Sequence, residues 1–378
     1  MRARWYVSGV FRVWNAVELH FGCKAWGQLL KICFRRLVRR FAMDSERVVM
    51  LGILLMNTGT PDEPTPEAIR PYLKEFLSDR NVVDMPAFLW QPILNLFVLP
   101  NRPKKTAARY QAFWTPQGSP FLLESQKQCE ELERRIGELL GETVVVRLGM
   151  RYGNPSIEAG LHELRDAGAG RIVGLPLYPQ HTRACAGTCY EEFRRQMGSI
   201  APGDDRWTFI DEYWNAPGYI EALAKSVLRS WLPRALSSSK LVVSFHSVPV
   251  SFAKRGDTYV ETTRKTAERL AGVLGMDDED VLVTYQSRFD NRKWQGPMLV
   301  PELERLACDG VDDVAVVCPG FAVDCIETSF EVAEEAADAY YAAARAAGLA
   351  DAHFTYIPAL GADDACMDAL AHLVARYS

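Results

Sequence analysis

Short apolar runs recur along the chain, separated by longer stretches in which apolar positions return every three or four residues. The runs predict strands near 48–56, 143–149, 171–177, 207–212, 241–245, 281–286, 314–318 and 353–357. The periodic stretches 121–140, 156–167, 217–231, 258–274, 299–309 and 327–347 predict helices. Strands that alternate with helices imply βαβ units and a mostly parallel sheet. Half of the strands fall before about residue 215 and half after, which predicts two similar halves. A weak internal echo agrees: Ile172-Val173-Gly174-Leu175-Pro176 resembles Val314-Ala315-Val316-Val317-Cys318-Pro319, each run ending at a proline. The expected fold class is therefore α/β, with two similar doubly wound, Rossmann-like halves, parallel sheets and a cleft between them. The expected boundaries are an N-terminal extension 1–47, a first half 48–190, a second half 191–352 and a C-terminal segment 353–378 that packs back on the first half.

Residues 85–100 break the pattern. Met85 to Pro100 carries no charge and three prolines, too short and too broken for a membrane-spanning helix. It reads either as a buried irregular connection or as an exposed apolar lip that holds a large flat ligand or touches a membrane surface. Arg80 and Arg102 bracket it.

Composition narrows the field. The 378 residues are 48% hydrophobic, enough for a substantial core. A net charge of −5 argues against nucleic acid as the main partner. Nine scattered cysteines fit reduced thiols in the cytosol better than a disulfide scaffold, and Cys185 and Cys189 form only a lone C-x-x-x-C. Residues 1–42 are distinct, with nine Lys/Arg against a single acid, Glu18. They read as a basic amphipathic anchor or as an over-extended start preceding Met43, and the second reading is preferred because the globular pattern begins near Val48.

The candidate chemistry lies at two strand ends. In open α/β sheets, ligands bind outside the carboxyl ends of the strands. The run Leu241–Phe245 ends on His246-Ser247-Val248-Pro249, and Val314–Val317 ends on Cys318-Pro319-Gly320-Phe321-Ala322-Val323-Asp324-Cys325-Ile326-Glu327-Thr328. An imidazole and a carboxylate at neighbouring strand ends make a candidate base and metal site. Beyond Glu327, the acids Glu331, Glu334 and Asp338 fall at helical spacing on one face. Like charges at that spacing repel, so a proton or metal relay would explain the stripe; a solvated polar face is the alternative.

These motifs, taken in order, resemble the ferrochelatases, the family that inserts Fe²⁺ into a porphyrin in haem biosynthesis. The resemblance runs from about Val48 to the C-terminus and is carried by Asn57-Thr58-Gly59-Thr60-Pro61, Phe76-Leu77-Ser78-Asp79-Arg80, Gly118-Ser119-Pro120 and Leu175-Pro176-Leu177-Tyr178-Pro179-Gln180. It continues through Ser244 to Pro249, Gln286-Ser287-Arg288-Phe289, Cys318 to Thr328 and Tyr356-Ile357-Pro358-Ala359-Leu360. The match is closest to the bacterial protoporphyrin type.

The resemblance implies that His246 and Glu327 are the catalytic and metal-binding pair, with Glu331, Glu334 and Asp338 as the relay. It implies porphyrin contacts from Thr58, Arg80, Ser119, Arg151, Tyr152, Tyr178 and Trp294. Aromatic walls suit a flat apolar ligand, and arginines suit its propionates. Two departures stand out: Phe330 replaces an acid common in the family, and Thr58 is smaller than the usual residue. Only Cys366 lies in the last forty residues and Arg183 takes the place of one upstream cysteine of some relatives, so no [2Fe–2S] cluster and no other resident cofactor is expected. The expected partners are porphyrin and ferrous iron, with no nucleic acid and with a peripheral membrane contact through 85–100 left open, as is the oligomeric state. The expected location is the cytoplasm. The alternatives are a coproporphyrin III ferrochelatase, a chelatase for another tetrapyrrole or metal such as cobalt, and a non-catalytic porphyrin carrier. The carrier would have no need of a base facing an acid.

Overall fold

The computed structural model describes residues 50–200, 206–233, 239–288 and 292–377; the extension 1–47 lies outside the described residues. The first half runs β1 (Leu51–Asn57), α1 (Pro66–Ser78), α2 (Ala87–Ile93), a π-helical turn Leu94–Val98, α3 (Arg102–Phe113), α4 (Pro120–Leu140), β2 (Val144–Met150), α5 (Ile157–Asp166) and β3 (Arg171–Pro176). A second π-helical turn, Arg183–Gly187, leads into α6 (Thr188–Ile200) and β4 (Trp207–Phe209). The second half runs α7 (Tyr219–Ser230), β5 (Ser239–His246), α8 (Val250–Ala253), α9 (Tyr259–Leu274), β6 (Val281–Gln286), α10 (Leu299–Cys308) and β7 (Asp313–Val317). A π-helix, Glu327–Ala336, then continues as α11 (Ala337–Ala346), followed by β8 (His353–Ile357) and α12 (Asp364–Val374).

Each half holds a four-stranded parallel sheet, and the two sheets share one order, β2-β1-β3-β4 and β6-β5-β7-β8. The strands are parallel because their runs are apolar throughout: every residue of β1 and of β7 is buried, so both faces must be covered, and helical crossovers do that. In each sheet the first strand lies between the second and the third, so the chain reverses direction across β1/β3 and β5/β7. The crevice outside those strand ends is where a ligand fits such a fold. The apolar core is continuous across both sheets, taking in Leu55 and Leu175 from one and Val243, Phe245 and Val317 from the other.

The strands fall within a few residues of their expected positions. The division at 190 falls inside α6, and β4 pairs with β3, so the first sheet extends past that boundary. β8 pairs with β7, which makes 353–357 part of the second sheet. α12 lies against α4 of the first half and α7, with Arg135 of α4 paired to Asp364 and Asp368. The loop before it is tied down as well: Gln128 Nε2 donates to the Gly361 carbonyl at 2.9 Å, and the Ala362 N–H donates to Glu124 at 2.7 Å.

Six helices were absent from the periodicity reading: α1, α2, α3, α6, the short α8 and α12. α1 starts on a Thr65 cap whose hydroxyl accepts from the Ala68 N–H, with Pro66 at its first position. It buries Ile69, Tyr72, Leu73 and Leu77 at helical spacing despite Pro71 in its interior. The uncharged stretch 85–100 is buried on one side and exposed on the other. Trp90, Leu94 and Leu99 are buried against Ile69, Leu73 and Ala107. On the other side Phe88, Leu96 and Phe97 are about two-thirds exposed or more (77%, 67% and 68%), with Leu89 and Ile93 partly so. The segment is a lip whose inner face is anchored and whose outer face is bare.

Trp90 is the anchor, because its indole Nε1 donates to the Leu77 carbonyl at 2.6 Å. Trp90→Ser is expected to cost about 3–5 kcal/mol of stability, as for other large-to-small changes in a core. Leu89→Ser, on the bare face, should cost within about 0.5 kcal/mol. Urea unfolding of both variants checks this, and equal losses would mean that the two faces are assigned wrongly.

Candidate active site

His246 is the last residue of β5 and stands in register with Gln286 of β6. Its Nδ1 lies 2.6 Å from the Ser247 carbonyl oxygen. A carbonyl only accepts, so Nδ1 carries the proton and donates, and in the neutral ring Nε2 keeps its lone pair. Nε2 faces Glu327 Oε2 at 3.9 Å, with both side chains about one-third exposed (39% and 35%). The loop beyond His246 is held by the Trp294 segment: Val250 N–H donates to the Lys293 carbonyl at 3.0 Å and Gln295 N–H to the Val248 carbonyl at 2.9 Å. Trp294 is half-buried and pairs through its backbone with Pro249, with the Arg292 guanidinium 5.9 Å from its ring.

Glu327 opens the π-helix after β7. Asp324 fixes that start: it accepts from the Thr328 hydroxyl at 3.0 Å and from the Tyr356 hydroxyl at 2.5 Å, and it also takes the Ala359 N–H. The π geometry changes the acid stripe. With i→i+5 hydrogen bonds the turn is wider than in an α-helix, so the acids do not line up as a 3.6-residue period predicts. Glu331 and Glu335 share one partner, Arg109 of α3, at 3.6 and 2.6 Å. Glu334 and Asp338 are exposed, and no ion pair joins either to the described residues. Glu335, left off the predicted stripe, thus sits with Glu331.

Glu331 is the unusual acid. Burial, followed by the nearby Glu327 charge, pushes its carboxyl above the usual range, against the opposing pull of Ser287, His246 and Arg109. Ser287 donates its hydroxyl to Glu331 from a left-handed backbone, φ 61°, a conformation that costs a non-glycine residue about 1–3 kcal/mol and collects at functional sites.

The opposite wall comes from the first half. Beyond β1, Thr58 is hydrogen-bonded to the Tyr178 hydroxyl. Gly59, at φ 111°, has to be glycine because a Cβ there would lie 1.8 Å from the Tyr152 carbonyl oxygen. Tyr72 of α1 and Tyr110 of α3 are buried within electrostatic reach of Glu327, and burial together with that charge raises both phenols. The Arg102 guanidinium stands within reach of Glu327 and Glu331. Neither tyrosine, nor Arg109, nor Ser287, was singled out from the sequence. The tyrosines have the look of ordinary apolar helix positions, and only the fold brings them to Glu327.

Several expected ligand contacts are engaged elsewhere. Arg151 donates to Asp79 at 2.5 Å and to the Thr188 hydroxyl at 2.7 Å. Tyr152 is buried, with its hydroxyl donating to the same Asp79 at 3.0 Å. Both join a polar cluster around Asp79, in which Arg151 keeps 17% of its side chain exposed. Ser119 is buried and bonded to Thr60 at 3.0 Å. Arg80 is exposed, and no carboxylate among the described residues pairs with its guanidinium.

Two doubly wound halves, with His246 and Glu327 at the switch-point strand ends of one and the Thr58–Tyr178 pair at those of the other, define a chelatase-type fold. Structure comparison agrees on the fold: SirB from Bacillus subtilis, solved with Fe³⁺, matches with a TM-score of 0.51 at 13% identity, over 86% of this chain and 95% of that one. The Ferrochelatase family model matches residues 50–378. Curated relatives named ferrochelatase include one from Actinobacillus pleuropneumoniae serotype 5b, 42% identical over 86% of this chain and 97% of its own length. Another, ferrochelatase 1 of Shewanella oneidensis, is 41% identical over 85% of this chain and 94% of its own length. The chain belongs to the ferrochelatase family and is an enzyme of haem synthesis, a lyase whose substrates are a porphyrin and ferrous iron.

Proposed function

We propose that this ferrochelatase acts on protoporphyrin IX, with His246 and Glu327 flanking the point of metal insertion. The observation that carries the reading is the 3.9 Å approach of His246 Nε2 to Glu327 Oε2 at the strand-end crevice. Insertion releases two protons from the macrocycle as Fe²⁺ enters. Pyrrole nitrogens are very weak acids, so a positioned base is needed, and imidazole exchanges protons near pH 7. His246 is oriented for this, since Nδ1–H is held by a carbonyl and Nε2 is left to accept. Imidazole and carboxylate are also suitable ligands for Fe²⁺. Glu331, whose carboxyl is biased toward its protonated form, is suited to take a proton onward from Glu327. The exposed Glu334 and Asp338 would extend that path to solvent. Thr58, Tyr178 and Trp294 would line the macrocycle, and the exposed Arg80 is the freest cation for a propionate; Ser119, Arg151 and Tyr152 would support the wall from behind.

The preference for protoporphyrin over coproporphyrin III rests on the lip. Its outer face is apolar and uncharged, which suits vinyl groups better than two further carboxylates. The same face, next to the exposed Lys104 and Lys105, supports a peripheral contact with an anionic membrane surface from the cytoplasmic side. No helix among the described residues is long and apolar enough to cross a membrane. The absence of an iron–sulfur cluster is supported by Cys366 being buried in the apolar core, alone in its part of the chain.

An anaerobic assay with Fe²⁺ and each porphyrin, followed by loss of free-porphyrin fluorescence, tests the reading. Glu327→Gln should lose most of the insertion rate with its melting temperature unchanged; full rate at saturating Fe²⁺ would leave Glu327 as a helix-terminus acid only. Co-sedimentation with vesicles containing anionic lipid tests the surface contact. Binding should fall in Phe88→Ser/Phe97→Ser, and equal binding by that variant would remove the lip from the contact.

A further inference from the structure

The root of the lip, residues 79–85, is fastened to the segment that follows His246 by charge. Asp84 Oδ2 accepts from Arg255 Nη2 at 2.6 Å, and Asp84 Oδ1 lies 3.7 Å from Arg183 Nη1. Arg255 belongs to the second half, nine positions after His246 and just beyond α8. Arg183 belongs to the first half, at the start of the second π-helical turn. Both guanidiniums stand within cation–π distance of the buried Phe252 ring, at 5.1 and 5.4 Å. Arg183 also donates to Asn81 Oδ1 at 3.1 Å, and Asn81 Nδ2 reaches Glu191 at 2.8 Å. The turn carrying Arg183 is bonded in its own right to the second half, since Asp257 accepts from the Thr182 hydroxyl at 2.8 Å and from the Arg183 N–H at 3.0 Å.

Asp84 is therefore the point at which three pieces of chain meet: the lip root, the turn beyond β3, and the segment beyond His246. Only Met85 and Pro86 separate it from α2. Met85 N–H bonds to the Val83 carbonyl at 2.7 Å, and Leu89 and Trp90 N–H both bond to the Pro86 carbonyl at 3.0 Å, so the connection from Asp84 into the lip is short and stiff. Arg255 is equally close-coupled to the base. Phe252 is fully buried, and the backbone from Val248 to Val250 is pinned to the Trp294 segment. The Asp84–Arg255 pair thus ties the angle of the lip to the frame that fixes His246. Both members are partly exposed (25% and 47%), so the pair is weak enough to open and close while contributing little to global stability.

We propose that Asp84, held by Arg255 and Arg183, is a positioning residue that locks the lip over the cleft in register with His246, so that a flat ligand gripped by the lip is presented to the base at a fixed height. It touches neither porphyrin nor iron. The proposal rests on the proposed reading that the lip's apolar outer face meets the porphyrin, and its test includes a measurement that needs no turnover.

In the substrate-free full chain, hydrogen exchange of amides 86–99 should quicken several-fold in Asp84→Asn and in Arg255→Gln, and return to the wild-type rate in Asp84→Glu. Melting temperatures should stay at wild type. In steady-state insertion, Asp84→Asn should raise the porphyrin KM and lower kcat by roughly threefold to tenfold, the scale of one partly exposed ion pair, with the Fe²⁺ KM unchanged. The double variant Asp84→Asn/Arg255→Gln should be no worse than either single one, because both remove the same link. Unchanged exchange in the lip, a loss that tracks melting temperature, or multiplying effects in the double variant would each overturn the clamp. If wild type inserts no metal, the functional reading fails, while the exchange result still decides the clamp.

Discussion

The parallel pairing of β5 between β6 and β7 is the constraint on which the rest depends. Because β5 and β7 are buried on both faces, helices must cover them, and each strand must end at the same edge of the sheet. That edge receives His246 directly from β5 and Glu327 through the loop after β7. No side-chain contact would bring an imidazole and a carboxylate 3.9 Å apart from positions eighty-one residues distant without that register. The duplicated strand order repeats the device in the first half, where β1 and β3 end at Asn57 and Pro176 beside the Thr58–Tyr178 pair.

Around this frame the site is built from opposed tendencies. The π-helix brings Glu331 close to Glu327, where burial and the Glu327 charge raise the affinity of Glu331 for a proton, while Arg109 and Ser287 hold it in place. Ser287 accepts a strained backbone to do so. The lip shows the same division of labour. Its inner face supplies stability through Trp90, its outer face is left bare, and its root is joined to the His246 segment by charge.

The strands were legible in the sequence because parallel strands buried on both faces read as unbroken apolar runs. α1 was hidden by Pro71, which interrupts a pattern otherwise periodic from Ile69 to Leu77. α3 was hidden by its polarity: Arg102, Lys104, Lys105 and Arg109 outnumber its buried positions Pro103, Ala107 and Tyr110. His246 was legible in the sequence because it follows an apolar run directly, and Glu327 because it opens the helical stretch reached through the loop after another such run. The partners of Glu331 were not, since an α-helical period puts Glu334 on the stripe and leaves Glu335 off it, and the π-helix reverses that choice. The shared bond of Arg151 and Tyr152 to Asp79 was not legible, because nothing in the sequence brings position 79 to positions 151 and 152.

The central claim is that His246 Nε2 removes a proton from the macrocycle, and chemical rescue tests it most directly. Single-turnover Fe²⁺ insertion into bound porphyrin, followed anaerobically in His246→Ala, should be slow and should recover with added imidazole in proportion to its unprotonated fraction as pH rises. Porphyrin affinity should be unchanged throughout. A His246→Ala variant that inserts iron at the wild-type rate without imidazole would contradict the account.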